Sequence, residues 1–219
     1  MYMMIYLKRR MRSVRGIDIS QWNIVKDYAA IKAAGYDFAI IRSVGSSKGK
    51  RYHDKLFVQH YEGCTKAGLH VGAYAYFQPH LSGYNALDDA LYFLDNFRAG
   101  MHFDFPIYLD CETWIRDKKN NTKYCIDFLE TLEKRGFFAG LYGSDISTFH
   151  DLVYKEELKS YSWWIARYGS KPKYATENCH MWQKTSTGTV PGVIGHVDID
   201  ECYKNFPEII ERNHLNIRK

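Results

Sequence analysis

Cysteine is scarce and poorly spaced for chemistry. Cys64, Cys111, Cys125, Cys179 and Cys202 form no C-x-x-C pair, and their number is odd. That argues against a complete intramolecular disulfide framework and against a zinc ribbon. Folding in a reducing compartment is the expectation. The nine histidines include no H-E-x-x-H, so no metal site is expected. Long apolar runs are missing too: nothing approaches the roughly 20 residues that cross a bilayer. Met1–Leu7 is too short for a signal-peptide core, and its basic residues follow it instead of preceding it. No G-x-G-x-x-G follows the first strand-like run, which weakens a dinucleotide-binding reading. With no low-complexity linker and no close internal repeat, 219 residues read as one domain.

An excess of positive charge is absent outside one short segment. The formal net charge is +5, but residues 1–16 hold Lys8, Arg9, Arg10, Arg12 and Arg15 and no acid. Removing those five from 30 leaves 25 basic residues, equal to the 25 acidic ones. A globally basic nucleic-acid binder is therefore not expected. The organisation read from the chain is a disordered basic leader (1–14), a folded unit (15–210) and a C-terminal tail (211–219). Aromatic residues are plentiful, with eighteen Tyr and five Trp. Most will fill a core; a few suit a carbohydrate cleft, because sugar rings offer flat C–H faces.

A repeated rhythm runs through the folded unit. Buried-strand patterns at Gly16–Ser20, Phe38–Val44, Val71–Gln78, Phe105–Glu112 and Phe138–Gly143 are short and mostly bounded by Gly or polar residues. Amphipathic stretches at Asp27–Ala34, Lys55–Ala67, Asn85–Phe97 and Lys123–Arg135 alternate with them. Ala34-Gly35, Ala67-Gly68 and Arg135-Gly136 place glycine where a left-handed helix cap needs it. Thr122 is the expected N-cap of the fourth helix. Further on, Trp163–Tyr168, His180–Thr187 and His196–Cys202 read as strands, with one short helix at Lys155–Tyr161. About eight strands and five helices, alternating, predict an irregular TIM-like β/α barrel of the α/β class, with a parallel sheet.

In such barrels, chemistry sits at the C-terminal ends of the strands. Asp18 lies in the first strand, Asp110 and Glu112 end the fourth, and Asp198 lies in the last. Asp110 and Glu112 are two residues apart, so both face the same way, about 6.6 Å apart along the strand. Cys111 then faces the helices. Two carboxyls at that spacing flank a glycosidic bond, one as proton donor. Crowding raises the pKa of at least one acid. Closure of the barrel makes the first and last strands neighbours, so Asp18 and Asp198 join the pair. Trp22, Tyr74, Tyr76, Tyr142 and Trp182 fall near the same rim and are the candidate substrate-binding aromatics. Of adjacent Trp163 and Trp164, only one faces the interior.

These residues resemble the family 25 glycoside hydrolases, the Chalaropsis-type lysozymes, from about Arg15 to Phe206. The opening Gly16-Ile17-Asp18-Ile19-Ser20-Gln21-Trp22 is similar to the family's start. Lys32–Gly35, Phe38–Arg42 and Ala67–Tyr74 follow in order. Leu109-Asp110-Cys111-Glu112 matches the family's D-x-E. Trp164–Tyr168, Trp182-Gln183 and Val190-Pro191-Gly192 through Val197-Asp198 complete the set. Two departures touch substrate contacts: Ala75 between Tyr74 and Tyr76, and Lys184 after Trp182-Gln183.

The resemblance implies hydrolysis of the β-1,4 bond between N-acetylmuramic acid and N-acetylglucosamine in cell-wall peptidoglycan, without metal or cofactor; a monomer is the separate expectation. It implies action on the wall, outside the cell or after lysis. One alternative is a non-catalytic glycan-binding module descended from a lysozyme, which the intact acids argue against. A chitinase-like barrel would need acids where Tyr108 and Phe105 stand. A nucleic-acid binder working through the leader would bind in a salt-sensitive way.

Overall fold

The computed structural model describes residues 13–81, 83–112 and 114–218. In chain order the strands and helices are β1 (Val14–Ile19), β2 (Ile24–Val25), α1 (Tyr28–Ala33), β3 (Phe38–Ser47), β4 (Lys50–His53), α2 (Phe57–Lys66) and β5 (His70–Tyr76). Then come α3 (Ala86–Asp95), β6 (Ile107–Asp110), α4 (Lys118–Lys134), β7 (Ala139–Ser144), β8 (Ser162–Ala166), β9 (Cys179–Gly188), β10 (Val193–Ile194), β11 (Val197–Cys202) and α5 (Phe206–Arg212).

Eight strands close a barrel in the order β1-β11-β9-β8-β7-β6-β5-β3, and β1 pairs with β3 to complete it. The expected α/β barrel is therefore the fold. It is not wholly parallel. β11 runs antiparallel to both β1 and β9, so the sheet is mixed. The apolar pattern of a strand carries no direction, which is why the sequence left this unread. β4 extends β3 as a hairpin, and β2 pairs with β10 as a separate ribbon.

The helix ends follow local chemistry. Asp27, Asn85 and Asp117 cap α1, α3 and α4 by accepting from the backbone N–H three residues on. Gly35, Gly68 and Gly136 stand just past α1, α2 and α4 at φ of 82°, 75° and 83°, the left-handed conformation expected there. Thr122 is not a cap. α4 starts five residues earlier than the amphipathic pattern suggests, because its first turn is polar (Lys118-Lys119-Asn120-Asn121). The Thr122 hydroxyl instead accepts from Tyr154 N at 2.8 Å. The short helix expected at Lys155–Tyr161 is one 3-10 turn, Lys155–Leu158. The fifth α-helix is α5.

Two apolar layers result. The outer one lies between barrel and helices and takes the odd-numbered residues of most strands, including Ile17, Ile41, Val71, Leu109, Leu141 and Trp163. The inner one fills the lower barrel with Phe38, Phe105, Tyr108, Trp164 and Met181, and α5 plugs its base with Phe206 and Ile210. Phe38 and Phe105 stack at 4.3 Å, and Phe206 meets Phe105 edge-on at 5.6 Å. Such bulk leaves no room for side chains at facing positions: a Cβ on Gly16 would sit 2.2 Å from the Phe38 ring.

The segment expected as a tail is part of this base. Asn216 is fully buried, and His102 bridges to Ile217. The expected leader lies outside the described residues apart from Ser13 and Val14, and Val14 opens β1. No helix among the described residues is long and apolar enough to cross a membrane.

Candidate active site

The upper end of the barrel interior carries the acids. β6 points Tyr108 and Asp110 inward and Leu109 outward. The strand ends at Asp110, two residues short of the expected end, yet the extended course continues. Cys111 N–H donates to Tyr142 O at 3.0 Å, and Thr148 Oγ1 donates to Cys111 O at 2.7 Å. With Cys111 pinned on both sides, Glu112 emerges on the side of Asp110. Cys111 joins the helix-side layer beside Cys125 of α4. All five cysteines are free.

Asp18 on β1 faces Asp198 on β11 in register. Because β11 runs antiparallel, its start lies at the rim where β1 ends. The four predicted acids therefore meet in one cavity of about 220 Å³, lined also by Arg42, Tyr74, Tyr76, Tyr142, Trp164 and Gln183. Beyond Glu112 it continues into a shallower hollow of about 320 Å³, bounded by Ile146, Arg167 and Tyr168. A separate cavity of about 190 Å³ lies at the opposite end of the barrel, near Val14, His70, Phe105 and Lys204, away from the acids.

Two predicted aromatics lie elsewhere. Trp22 follows β1 and is 77% exposed outside the cavity lining. Trp182 points away from the interior: its Nε1 donates to Arg167 O at 2.8 Å, and Lys184 lies over its ring. Even-numbered residues face inward on the other barrel strands (on β3 as far as Arg42), whereas on β9 the odd-numbered Met181 and Gln183 do. Met181 and Trp182 are both apolar, which hides that parity in the sequence. Trp163 and Trp164 divide as expected. Trp163 bonds Leu158 O under the helices, and Trp164 Nε1 donates to Asp200 Oδ1 at 2.8 Å inside the barrel.

Three site residues were not singled out by sequence reasoning. Asp200 is fully buried, two residues beyond Asp198. The signal was available: Asp198-Ile199-Asp200 has the spacing of Asp110-Cys111-Glu112. Arg42 ends an apolar run as its lone charge, and its Nε donates to buried Asp54 at 2.9 Å. Gln183 donates from Nε2 to Asp18 Oδ2 at 2.8 Å and to Asp198 Oδ2 at 3.2 Å.

The electrostatics follow from crowding five carboxyls in a low-dielectric space. Burial holds Asp110 well above the usual carboxylate range, and the Glu112 charge adds to this while Arg42 opposes it. Burial raises Glu112 as well, with the Tyr142 hydroxyl offsetting part of the rise. Burial and then the charges of Asp200 and Asp198 raise Asp18. Asp198 is pushed up to about 6 and Asp200 to about 8, burial being the main cause for both. The group thus retains protons near neutrality, which is what a proton donor requires. Among the described residues no cluster of three His, Cys, Asp or Glu side chains is arranged to hold a metal ion.

A closed barrel with paired carboxyls crowded at one rim is the arrangement of a glycoside hydrolase. Residues 17–193 match the model for glycosyl hydrolases family 25, and the chain belongs to that family. It is 25% identical over 189 residues to an autolytic lysozyme of Clostridium acetobutylicum, covering 86% of this chain and 55% of that protein. It is 27% identical over 213 residues to Lysozyme M1 of Streptomyces globisporus, covering 84% of this chain and 66% of that one. The chain thus spans between half and two thirds of the length of these relatives. The crystal structure of the CTP1L endolysin superposes with a TM-score of 0.76 at 26% identity, over 91% of this chain and 70% of that one.

Proposed function

We propose that the chain is a lysozyme that hydrolyses the β-1,4 bond between N-acetylmuramic acid and N-acetylglucosamine in peptidoglycan, with Glu112 as general acid. One observation carries the reading: Glu112, half-buried with its pKa raised, opens into a cavity that also holds Asp110, Asp18 and Asp198. Family membership and the lysozyme relatives support the substrate. Glu112 protonates the leaving oxygen. Positive charge then grows at the muramic acid carbon and needs stabilising.

Asp110 shares a strand end with Glu112, whereas a direct nucleophile must reach the ring from the opposite face. The substrate's own 2-acetamido oxygen makes that attack instead. Asp110 holds the acetamide nitrogen and stabilises the cyclic intermediate. Asp18 and Asp198 orient the sugar and maintain the negative field. Water, giving its proton to Glu112, then attacks the same carbon and opens the cyclic intermediate, so this route retains anomeric configuration. The enzyme works as a monomer on bacterial cell-wall peptidoglycan, outside the cell or after lysis, without metal or cofactor. Tyr74, Tyr76 and Tyr142 line the sugar site.

Digestion of purified walls followed by borohydride reduction tests the bond assignment. Reduced muramic acid at the new ends is the expected product. Reduced glucosamine would overturn the bond assignment, and no new ends would leave a glycan-binding module. A wall substrate stripped of the N-acetyl group at the cleaved muramic acid tests the route. Binding without cleavage is expected; cleavage at the acetylated rate would overturn it.

A further inference from the structure

Gln183 is buried at 1% exposure and uses every hydrogen-bonding position its carboxamide has. The two N–H bonds go to Asp18 and Asp198, at 2.8 and 3.2 Å. The carbonyl oxygen accepts from Tyr142 at 2.9 Å and from Tyr168 at 3.0 Å. The chemistry of the partners fixes the orientation. Each acid keeps an oxygen free to accept whether or not it holds a proton, so the amide N–H groups face Asp18 and Asp198, and the two phenol hydroxyls donate to the amide oxygen. A flipped amide would set its oxygen against the two acids, where every ionised oxygen repels it.

The two acids it joins face each other across adjacent strands. Two negative groups so placed repel strongly when water is scarce. An N–H donor shared between them is the neutral device that offsets this repulsion. The surrounding titratable groups offer no replacement. Asp200 on the strand of Asp198, Asp110 at the end of β6 with Glu112 just past it, and the phenols Tyr74, Tyr142 and Tyr168 face the pair. None of them is cationic. Arg42 lines the same cavity from β3, but its Nε is engaged with Asp54 and its charge acts on Asp110.

We propose that Gln183 is a positioning residue, which sets the placement and ionisation of Asp18 and Asp198 through its two amide protons and does not itself touch the reacting bond. Tyr142 and Tyr168 serve it by fixing which way the amide points. Tyr142 also lies beside Glu112, so the network reaches the proton donor. The inference deepens the lysozyme reading above and rests on it for its kinetic consequence.

The test is carboxyl-carbon NMR titration of the wild type and of Gln183→Leu, joined to wall-hydrolysis kinetics. Leucine matches the volume and removes all four bonds. The Asp18 and Asp198 midpoints should rise by about one pH unit in the variant. The acid limb of the kcat profile should move upward with them. kcat should fall about 100-fold with little change in KM, as for a misplaced reacting group. Tyr168→Phe, which leaves the interior packed, should give a smaller shift of the same sign. Should Gln183→Leu fail to fold, the Tyr168→Phe titration still decides the matter, and unchanged midpoints there would overturn the proposal. So would a rise in KM with an unshifted pH profile, since that is the mark of a direct substrate contact. The titration needs no substrate. A protein whose midpoints shift but which never cleaves walls would refute the lysozyme reading and leave the role of Gln183 standing.

Discussion

Trp164 Nε1 donates to Asp200 Oδ1 at 2.8 Å, while Asp200 Oδ2 has no hydrogen-bond partner among the described residues. One oxygen is satisfied and the other is buried beside Asp18. A proton held between Asp200 and Asp18 resolves this, and burial pushes the Asp200 pKa up to about 8 from a carboxylate's ordinary value. The fold therefore favours the protonated acid. Its contribution to stability is complete below about pH 4, and is lost as pH rises through about 8.

Asp200→Asn should weaken that pH dependence. The Asn carbonyl still accepts from Trp164, and its N–H reaches toward Asp18 without a charge to bury. At pH 8 the variant should melt about 2–4 °C above the wild type, since 1 kcal/mol shifts Tm by about that much in a domain of this size. The advantage should shrink toward pH 5. Parallel Tm curves for the two proteins across this range would refute the account of Asp200.

Asn216 ties the C-terminal segment to the barrel base. Its Nδ2 donates to Phe103 O at 3.1 Å and Phe105 O at 2.8 Å, and its Oδ1 accepts from Phe138 N at 2.6 Å. Its φ is 61°, a conformation Asn tolerates better than most residues. Asn216→Ala leaves three buried backbone groups unpaired and should cost about 3 kcal/mol. Asn216→Gly relieves the backbone but not the lost bonds, so it should recover only a minor part. Chemical denaturation measures both. A glycine variant as stable as wild type would show that the bonds contribute little.

Arg51 joins the β3–β4 hairpin to the helices. Its Nε bonds Asp89 at 2.6 Å, its guanidinium lies 3.6 Å over the Tyr84 ring, and Tyr124 donates to the other Asp89 oxygen. Asp89 is almost fully buried, so removing its cation strands a charge. Arg51→Met should cost about 3 kcal/mol, or about 6–12 °C in Tm. The exposed pair Lys123–Asp127 is equally short at 2.6 Å, yet Lys123→Ala should cost no more than about 0.5 kcal/mol. Burial, not distance, separates the two cases, and equal losses would contradict that.

Barrel class, strand positions and the helix-ending glycines were legible because they depend on local periodicity and on turn chemistry. Asp18, Asp110 and Glu112 were legible because strand ends in a β/α barrel converge. Asp198 joined them because closure makes the first and last strands neighbours, as expected, though β11 enters the rim there instead of leaving it. Gln183 was hidden by the apolar Met181-Trp182 step. A register irregularity where β8 meets β9 sets that parity, and nothing local records it. Asn216 reads as one polar residue near a chain end. Its role arises only from the three distant backbone groups that converge on it.

The central claim is that Glu112 donates the proton in wall hydrolysis. Glu112→Gln keeps the shape of the side chain and removes the transferable proton. The direct measurement is the rate of reducing-end release from purified peptidoglycan by the variant, beside its melting temperature. The account predicts an unchanged fold and a rate lower by several orders of magnitude. Turnover near that of the wild type, in a variant that melts where the wild type does, would contradict it.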